Sequence, residues 1–197
     1  MGLLKRHDIR LMKRMFDIDL LIETGTYKGE SVAHALRCGY QKIITIEIIE
    51  SLAKQAQEQF ADFSGVLVVN AESAPGINSL FLSGKIDQKE KILWWLDAHL
   101  PQHYSNDYDQ LTDKNIIFPL KGELTAITKN RDVSRDIFIM DDLRLYEDGP
   151  FLNGNCSKGT RPFSNHNFVI ELLGATHKIT KDFRDEGYLV ALPISRQ

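Results

Sequence analysis

Short apolar runs that alternate with longer amphipathic segments constrain the fold of this chain more than any other feature. Five runs are apolar almost throughout, as parallel strands covered on both faces are: Leu20–Glu23, Ile43–Glu47, Val66–Val69, Ile92–Leu96 and Ile137–Met140. Helical periodicity is found in the segments Ser31–Cys38, Ser51–Phe60, Lys121–Lys129 and His166–Leu173, and in a shorter segment, Ile77–Leu82. This alternation predicts an α/β fold in which crossover helices join parallel strands.

The two ends of the chain add a helix and a hairpin to this pattern. Residues 1–18 mix apolar and basic residues at imperfect helical spacing, which predicts a helix that packs on the domain with a basic outer face. Near the other end, Lys178–Phe183 and Tyr188–Ile194 are predicted as two antiparallel strands joined across Arg184–Gly187. With 197 residues, 43% of them hydrophobic, residues 1–197 are expected to form one domain.

Composition and charge narrow the class of partner. The net charge of -3 gives no basic footprint for nucleic acid, so a small-molecule or protein substrate is favoured. No apolar run approaches the roughly 20 residues that a membrane-spanning helix needs. The chain has two cysteines and charges scattered through its first residues, and we expect a cytoplasmic protein that does not enter the membrane. The basic first helix or an exposed sheet edge would be a suitable surface for a homodimer.

The turn after the first predicted strand is a candidate ligand site, because open parallel sheets bind ligands beyond the carboxyl ends of their strands. Gly25 and Gly29 would let peptide groups approach a ligand without an intervening Cβ. Ser31, at the start of the next helix, would offer a hydroxyl beside free backbone N–H groups. Two glycines are also compatible with an ordinary tight connection between a strand and a helix.

The second predicted strand ends in Glu47, about twenty residues after that turn, where a carboxylate that binds a ribose is expected. A solvated acid at a strand end is the alternative. The three glycines of the G-x-G-x-x-G pattern are absent, which argues against a nicotinamide-dependent oxidoreductase.

These segments together resemble known methyltransferases. The turn and the second strand resemble the catechol O-methyltransferase pattern, and the fuller set resembles bacterial class I methyltransferases related to macrocin O-methyltransferase. The resemblance covers roughly 20–146 and rests on Glu23–Ser31, Ile44–Ile48, Leu96–His99, Phe118–Leu124 and Ile139–Arg144. It implies a Rossmann-like, three-layer class I methyltransferase fold, with a mostly parallel seven-stranded sheet and an antiparallel C-terminal hairpin.

The same resemblance implies S-adenosylmethionine as the cofactor and assigns residues to it. Gly25, Tyr27 and Ser31 would hold its methionine part, and Glu47 would bind its ribose. Other cofactor contacts are expected from the remainder of the turn, from the residues after the third strand that border the adenine, and from the end of the fourth strand: Glu23, Gly29, Ala71, Glu72 and Asp97.

Three aspartates follow two of the predicted strands. Asp97 ends the fourth strand, and Asp141 with Asp142 ends the fifth, so neighbouring parallel strands would bring three carboxylates to one edge of the sheet. Their repulsion would be relieved by a hard divalent cation such as Mg²⁺, which leaves coordination positions for substrate oxygens. The resemblance implies the same metal, holding the hydroxyl of a small-molecule acceptor. Helix capping or pairing with Arg144 is the alternative.

The general base departs from the catechol pattern, because Leu100 stands where that family has a lysine, three residues after the acid of the fourth strand. His99 and His103 lie in the same segment and have near-neutral intrinsic pKa values, which suits proton abstraction. We assign His99 together with Asp97 to catalysis, with a structural, hydrogen-bonded His99 as the alternative. The missing lysine also motivates a competing hypothesis of a non-catalytic Rossmann-like protein that binds a nucleoside or a partner protein.

Two long polar stretches, Pro101–Lys114 and Glu147–Asn165, follow strands and exceed the usual length of a connection. Loops of this kind often form lids or binding loops. We expect the specificity for the acceptor to lie in them.

Overall fold

The structure is a computed structural model that describes residues 3–100, 112–157, 161 and 165–194. Its centre is a seven-stranded sheet in the order β3-β2-β1-β4-β5-β7-β6. The first five strands run parallel, and β7 pairs antiparallel with both β5 and β6. The strands are β1 Leu20–Thr24, β2 Lys42–Glu47, β3 Val66–Asn70, β4 Ile92–Leu96, β5 Ile137–Met140, β6 His177–Asp182 and β7 Tyr188–Pro193. The predicted parallel sheet and the C-terminal hairpin are therefore confirmed.

The helices of the described residues lie in the predicted places, with two differences. They are α1 Ile9–Phe16, α2 Glu30–Arg37, α3 Glu50–Gln59, α4 Ser73–Leu82, α5 Lys114–Ile117, α6 Leu120–Asn130 and α7 Asn167–Leu173. Helix α4 begins at Ser73, four residues before the predicted start at Ile77, because a proline is tolerated in a first helical turn although it obscures the periodicity. Helix α5 is short, was not predicted, and begins at Lys114, the last residue of one of the predicted long loops.

The N-terminal segment is not one continuous helix. A 3-10 turn, Leu4–Arg6, precedes α1, and the Asp8 side chain caps α1 by accepting a hydrogen bond from the Leu11 N–H at 2.9 Å. The segment is joined to the C-terminal hairpin through an ion pair between Arg6 Nε and Asp185 Oδ2 at 3.0 Å. These contacts hold the start of the chain over the face of the sheet that α2 covers.

Helices cover both faces of the sheet and divide the core into two parts. Side chains of one face, with Trp94 among them, pack with α4, α6 and α7. Trp95 points to the other face and packs with the N-terminal segment, α2 and α3. This division of the two tryptophans follows from the alternation of side chains along a strand. The prediction that β3 is covered on both faces is wrong, because β3 is an edge strand on which Leu67 is exposed.

No helix among the described residues is long and apolar enough to cross a membrane. The parallel strands β1, β2, β4 and β5 place their carboxyl ends at one edge of the sheet, which is the edge where the predicted site residues lie.

Candidate functional site

A cleft of about 540 Å³ opens at the carboxyl ends of the parallel strands. Nine of the residues predicted to act in cofactor binding or catalysis line it, and they come from the ends of β1, β2, β3 and β4: Gly25, Tyr27, Gly29, Ser31, Glu47, Ala71, Glu72, Asp97 and His99. Glu23, Asp141 and Asp142 were also predicted as site residues, but they do not line the cleft and are buried.

The turn between β1 and α2 has a backbone that favours glycine at two positions. Gly25 has φ +83°, and a Cβ built on it would lie 2.6 Å from the backbone oxygen of Asp97. Gly29 has φ +71°, and its Cβ would lie 2.6 Å from the Phe60 ring. The two glycines therefore allow the turn to pack against β4 on one side and α3 on the other.

We expect Gly25→Ala to lower the free energy of unfolding by about 3 kcal/mol, because the new methyl group meets a rigid backbone carbonyl in addition to the strain of a positive φ. Gly39→Ala is the matched control, since Gly39 has φ +87° but no atom within 4 Å of its Cβ position. It should cost only about 1 kcal/mol. Urea denaturation measures both, and equal losses would contradict the close approach at Gly25.

Glu23 lies behind the cleft and holds the turn between β1 and α2 in place through hydrogen bonds. Its Oε1 accepts a hydrogen bond from the Ser31 hydroxyl, and its Oε2 accepts one from the Thr45 hydroxyl at 2.7 Å. The Thr26 and Thr45 hydroxyl oxygens are 2.5 Å apart, so Thr26 extends this chain of hydrogen bonds. Burial raises the pKa of Glu23 to about 7. The contact of Glu23 with the cofactor stays a prediction. In the structure, Glu23 is connected to the cleft through its hydrogen bond with Ser31, which lines the cleft.

The raised pKa of Glu23 predicts a pH-dependent stability. Between the ordinary pKa of 4.5 and about 7, the folded protein holds a proton that the unfolded chain releases, so stability falls as pH rises. We expect wild type to lose about 3 kcal/mol relative to Glu23→Gln between pH 4.5 and pH 8. Urea denaturation at both pH values measures the difference, with the exposed Glu58→Gln as control. A constant difference between wild type and Glu23→Gln would contradict the buried, protonated Glu23.

Glu47 closes the other side of the same turn. Its Oε2 accepts the Tyr27 N–H at 2.8 Å, and its Oε1 accepts the Ile49 N–H at 2.9 Å. The Asn70 side chain donates to the Glu47 backbone oxygen at 2.8 Å and fixes the end of β2. Burial raises the pKa of Glu47, while the backbone N–H donors oppose that rise. Each carboxylate oxygen has a further lone pair, so Glu47 can still accept hydroxyl groups from the cleft.

The predicted carboxylate cluster forms between β4 and β5, with a histidine as its third member. Asp97, His99 and Asp141 each offer one potential metal ligand, and these atoms lie within 4.8 Å of one another. Burial and the charge of Asp141 raise the pKa of Asp97 well above its ordinary value. Burial and the charge of Asp142 raise the pKa of Asp141 to about 6. Neither carboxylate oxygen of Asp141 has a hydrogen-bond partner among the described residues.

Asp142 is not a member of that cluster. Its backbone is left-handed, with φ +58°, and its carboxylate pairs with His99 Nε2 on one side and with Arg144 Nε at 3.0 Å on the other. Burial lowers the pKa of His99, but the charges of Asp142 and Asp141 outweigh it and the net shift is upward. With Nε2 engaged by Asp142, His99 Nδ1 faces Asp97 Oδ1 at 3.6 Å. The pairing of Asp142 with Arg144 was the alternative considered from the sequence.

Two features of the site could not be found from the sequence. Glu123, an acid in the predicted helix Lys121–Lys129, is buried, and burial raises its pKa to about 7. Lys5, His34 and Arg37 line the far end of the cleft, although no sequence signal connects them with the turn. His103 and much of the two predicted binding loops lie outside the described residues.

Comparison with solved structures identifies the fold. A putative caffeoyl-CoA O-methyltransferase from Staphylococcus aureus matches with a TM-score of 0.64 at 14% identity, over 98% of this chain and 85% of that one. An O-methyltransferase from Bacillus cereus in complex with SAH matches with a TM-score of 0.63 at 11% identity, over 98% and 83%. The chain has the class I methyltransferase fold. The O-methyltransferase TomG from Streptomyces achromogenes, in complex with SAM, shares this fold with a TM-score of 0.54 at 14% identity, over 99% and 82%.

No protein-family model and no curated protein matches the sequence. At these identities the solved structures establish the methyltransferase fold and not the substrate. The cleft and the side chains around it are therefore the evidence for the reaction.

Proposed function

We propose that this protein transfers a methyl group from S-adenosylmethionine to a hydroxyl group of a small molecule, with the assistance of a divalent cation. The proposal rests on the residues that the methyltransferase fold brings together. One cleft brings together the turn between β1 and α2, Glu47, Asp97 and His99, and Asp141 lies behind it in the acidic cluster that it forms with Asp97 and His99.

The residues present fit S-adenosylmethionine, whose sulfonium makes its methyl group transferable. Ser31 lies in the first turn of α2, where backbone N–H groups suit the carboxylate of a methionine, and Gly25 lines the same cleft. Glu47 has lone pairs for ribose hydroxyls and is fixed in place by two backbone donors. Ala71 and Glu72 line the cleft after β3, where an adenine would lie.

The residues present also fit a hard cation. Asp97 and Asp141 are buried acids whose pKa values are raised by burial and by a neighbouring carboxylate, that of Asp141 for Asp97 and that of Asp142 for Asp141. A divalent cation between them would remove this repulsion and would lower the pKa of an acceptor hydroxyl. We therefore assign the cation to Asp97 and Asp141.

His99 is proposed as the general base. Asp142 engages Nε2 and so leaves Nδ1 to accept a proton on the side of the acidic cluster. Arg144 in turn holds Asp142, which makes Asp142 a positioning residue for the imidazole. This arrangement would replace the lysine that the catechol pattern has at the position of Leu100.

A methyl-transfer screen over catechol and vicinal-diol acceptors, with Mg²⁺ and with a chelator, tests the proposal. We expect transfer that depends on the cation. Binding of S-adenosylhomocysteine without transfer to any acceptor would favour the competing hypothesis of a non-catalytic nucleoside-binding protein. Transfer that is unchanged by the chelator would contradict the role of the cation.

A further inference from the structure

The cleft extends past the predicted cofactor residues to a second end with different chemistry. This end lies between the N-terminal turn and the outer side of α2. It is lined by Leu3, Leu4 and Lys5 of the N-terminal turn, by Lys28 of the turn before α2, and by His34 and Arg37 of α2. We call it the basic end of the cleft.

Cations at the basic end have few compensating charges. Lys5, Lys28 and Arg37 are exposed, and none of them forms an ion pair within the described part of the chain. Glu30 also lines the cleft here and is the only carboxylate that α2 contributes to the described lining. Positive charge therefore exceeds negative charge at this end.

The pKa of His34 gives separate evidence that several cations surround this side chain. Burial lowers the pKa of His34, and the charges of Arg37, Lys5 and Arg10 lower it further. Cations from the N-terminal turn, from α1 and from α2 thus act on one side chain, although they lie far apart in the sequence. A site of this kind attracts an anion, because each added negative charge relieves several repulsions at once.

Uncharged partners hold two of these regions in place. Arg10 Nη2 donates to the Arg37 backbone oxygen at 2.6 Å, which joins α1 to the end of α2. Lys28 Nζ lies 5.2 Å from the centre of the Tyr27 ring, within the turn between β1 and α2, which we call the cofactor turn. Contacts with a carbonyl and an aromatic ring orient these side chains without neutralising their charge.

The part of the cleft that the strand ends line is acidic. Glu47, Glu72 and Asp97 line it, and Asp141 forms a cluster with Asp97. An acidic wall suits a divalent cation and the positively charged sulfonium of the proposed cofactor. A basic wall suits neither of these positive charges. Because the proposed function already assigns the cofactor's carboxylate to Gly25 and Ser31, the second substrate is the molecule whose negative charge would complement the basic end.

We propose that the basic end, formed by Lys5, Lys28, His34 and Arg37, binds an anionic group of the methyl acceptor, so that the acceptor is a hydroxyl compound carrying a carboxylate or a phosphate ester. This inference rests on the proposed function, since it assigns the second substrate of the same cleft. The cofactor's own carboxylate is the competing source of the anion.

Calorimetry with pyrophosphate as the probe, in the presence of EDTA, tests the basic end directly. The test variant is Lys5→Met with Arg37→Met, because both side chains line the basic end and neither belongs to the turn that is proposed to bind the cofactor. The control is Arg14→Met with Lys54→Met, which removes two exposed charges outside the cleft. We expect wild type to bind pyrophosphate equally in the free protein and in its complex with S-adenosylhomocysteine. The test variant should bind pyrophosphate about tenfold more weakly and keep its affinity for S-adenosylhomocysteine.

Three results would overturn the inference. They are no measurable binding of pyrophosphate to wild type, an equal loss in the control variant, and displacement of pyrophosphate by S-adenosylhomocysteine, which would assign the charges to the cofactor. A failure of S-adenosylhomocysteine to bind would instead overturn the proposed function. The titration of the free protein would still show whether the basic end binds anions.

Discussion

Asp141→Asn should reduce cation-dependent methyl transfer by about a thousandfold while leaving the affinity for S-adenosylhomocysteine within about twofold. The reason is geometric. Asp141 belongs to the acidic cluster with Asp97 and His99, but it does not line the cleft that is predicted to hold the cofactor. Turnover with an accepted catechol or diol measures the first quantity, and calorimetry measures the second. Asp113→Asn is the matched control, since Asp113 lines the same cleft and an asparagine can still cap α5.

The same variant has a second signature that a merely damaged protein would not show. Burial and the charge of Asp142 raise the pKa of Asp141 to about 6, so at pH 8 the ionised side chain destabilises the metal-free fold. Asp141→Asn should therefore melt at a higher temperature than wild type in EDTA at pH 8. It should also lose the stabilisation that Mg²⁺ gives to wild type. A lower melting temperature in EDTA, or full activity, would contradict the assigned role.

His99→Asn separates the two roles that the geometry allows for the imidazole. If His99 acts as the base, turnover should fall while Mg²⁺ still raises the melting temperature as it does in wild type. A loss of both would make His99 a ligand of the cation beside Asp97 and Asp141.

Glu47→Ala should weaken the binding of S-adenosylhomocysteine by about a hundredfold or more. The substitution removes the proposed acceptor of the ribose hydroxyls, and it also leaves the Tyr27 and Ile49 N–H groups without their partner. The Tyr27 N–H belongs to the cofactor turn, so the loss has both a direct and a preorganising component. Calorimetry measures the affinity, and the exposed Glu50→Gln serves as control.

Glu47→Gln separates the direct loss of the ribose acceptor from the loss of preorganisation in the turn. A glutamine keeps one carbonyl oxygen for a backbone donor but presents an NH₂ group to the other, so affinity should fall to a value between wild type and Glu47→Ala. A thermal melt checks that both variants are folded. An unchanged affinity in folded Glu47→Ala would remove Glu47 from the cofactor site and with it the strongest part of the proposed function.

Local patterns predicted the sheet well because parallel strands buried on both faces are apolar throughout, and that signal needs no knowledge of neighbours. The pattern located β3 but not its exposure, because β3 is an edge strand. It placed the start of α4 too late, because Pro75 and Gly76 interrupt the periodicity. It gave no sign that Glu123 is buried, because an acid on a helix does not indicate which face the core will cover. At β3 and at Glu123 the missing information was how the elements pack.

The sequence by itself determined the order of the elements and the edge of the sheet at which a ligand would bind. It also predicted that the turn after β1 and Glu47 would lie at that edge, where both line the cleft, because both are adjacent to strand ends and carry spacing signals. Only the tertiary structure decided which side chains meet. It placed Asp142 with His99 and Arg144, set Glu23 behind the turn, and brought the N-terminal segment to α2 to form the basic end of the cleft. The physical reason is that ion pairs and burial depend on distances in space, which residues far apart in the chain acquire only when the helices pack on the sheet.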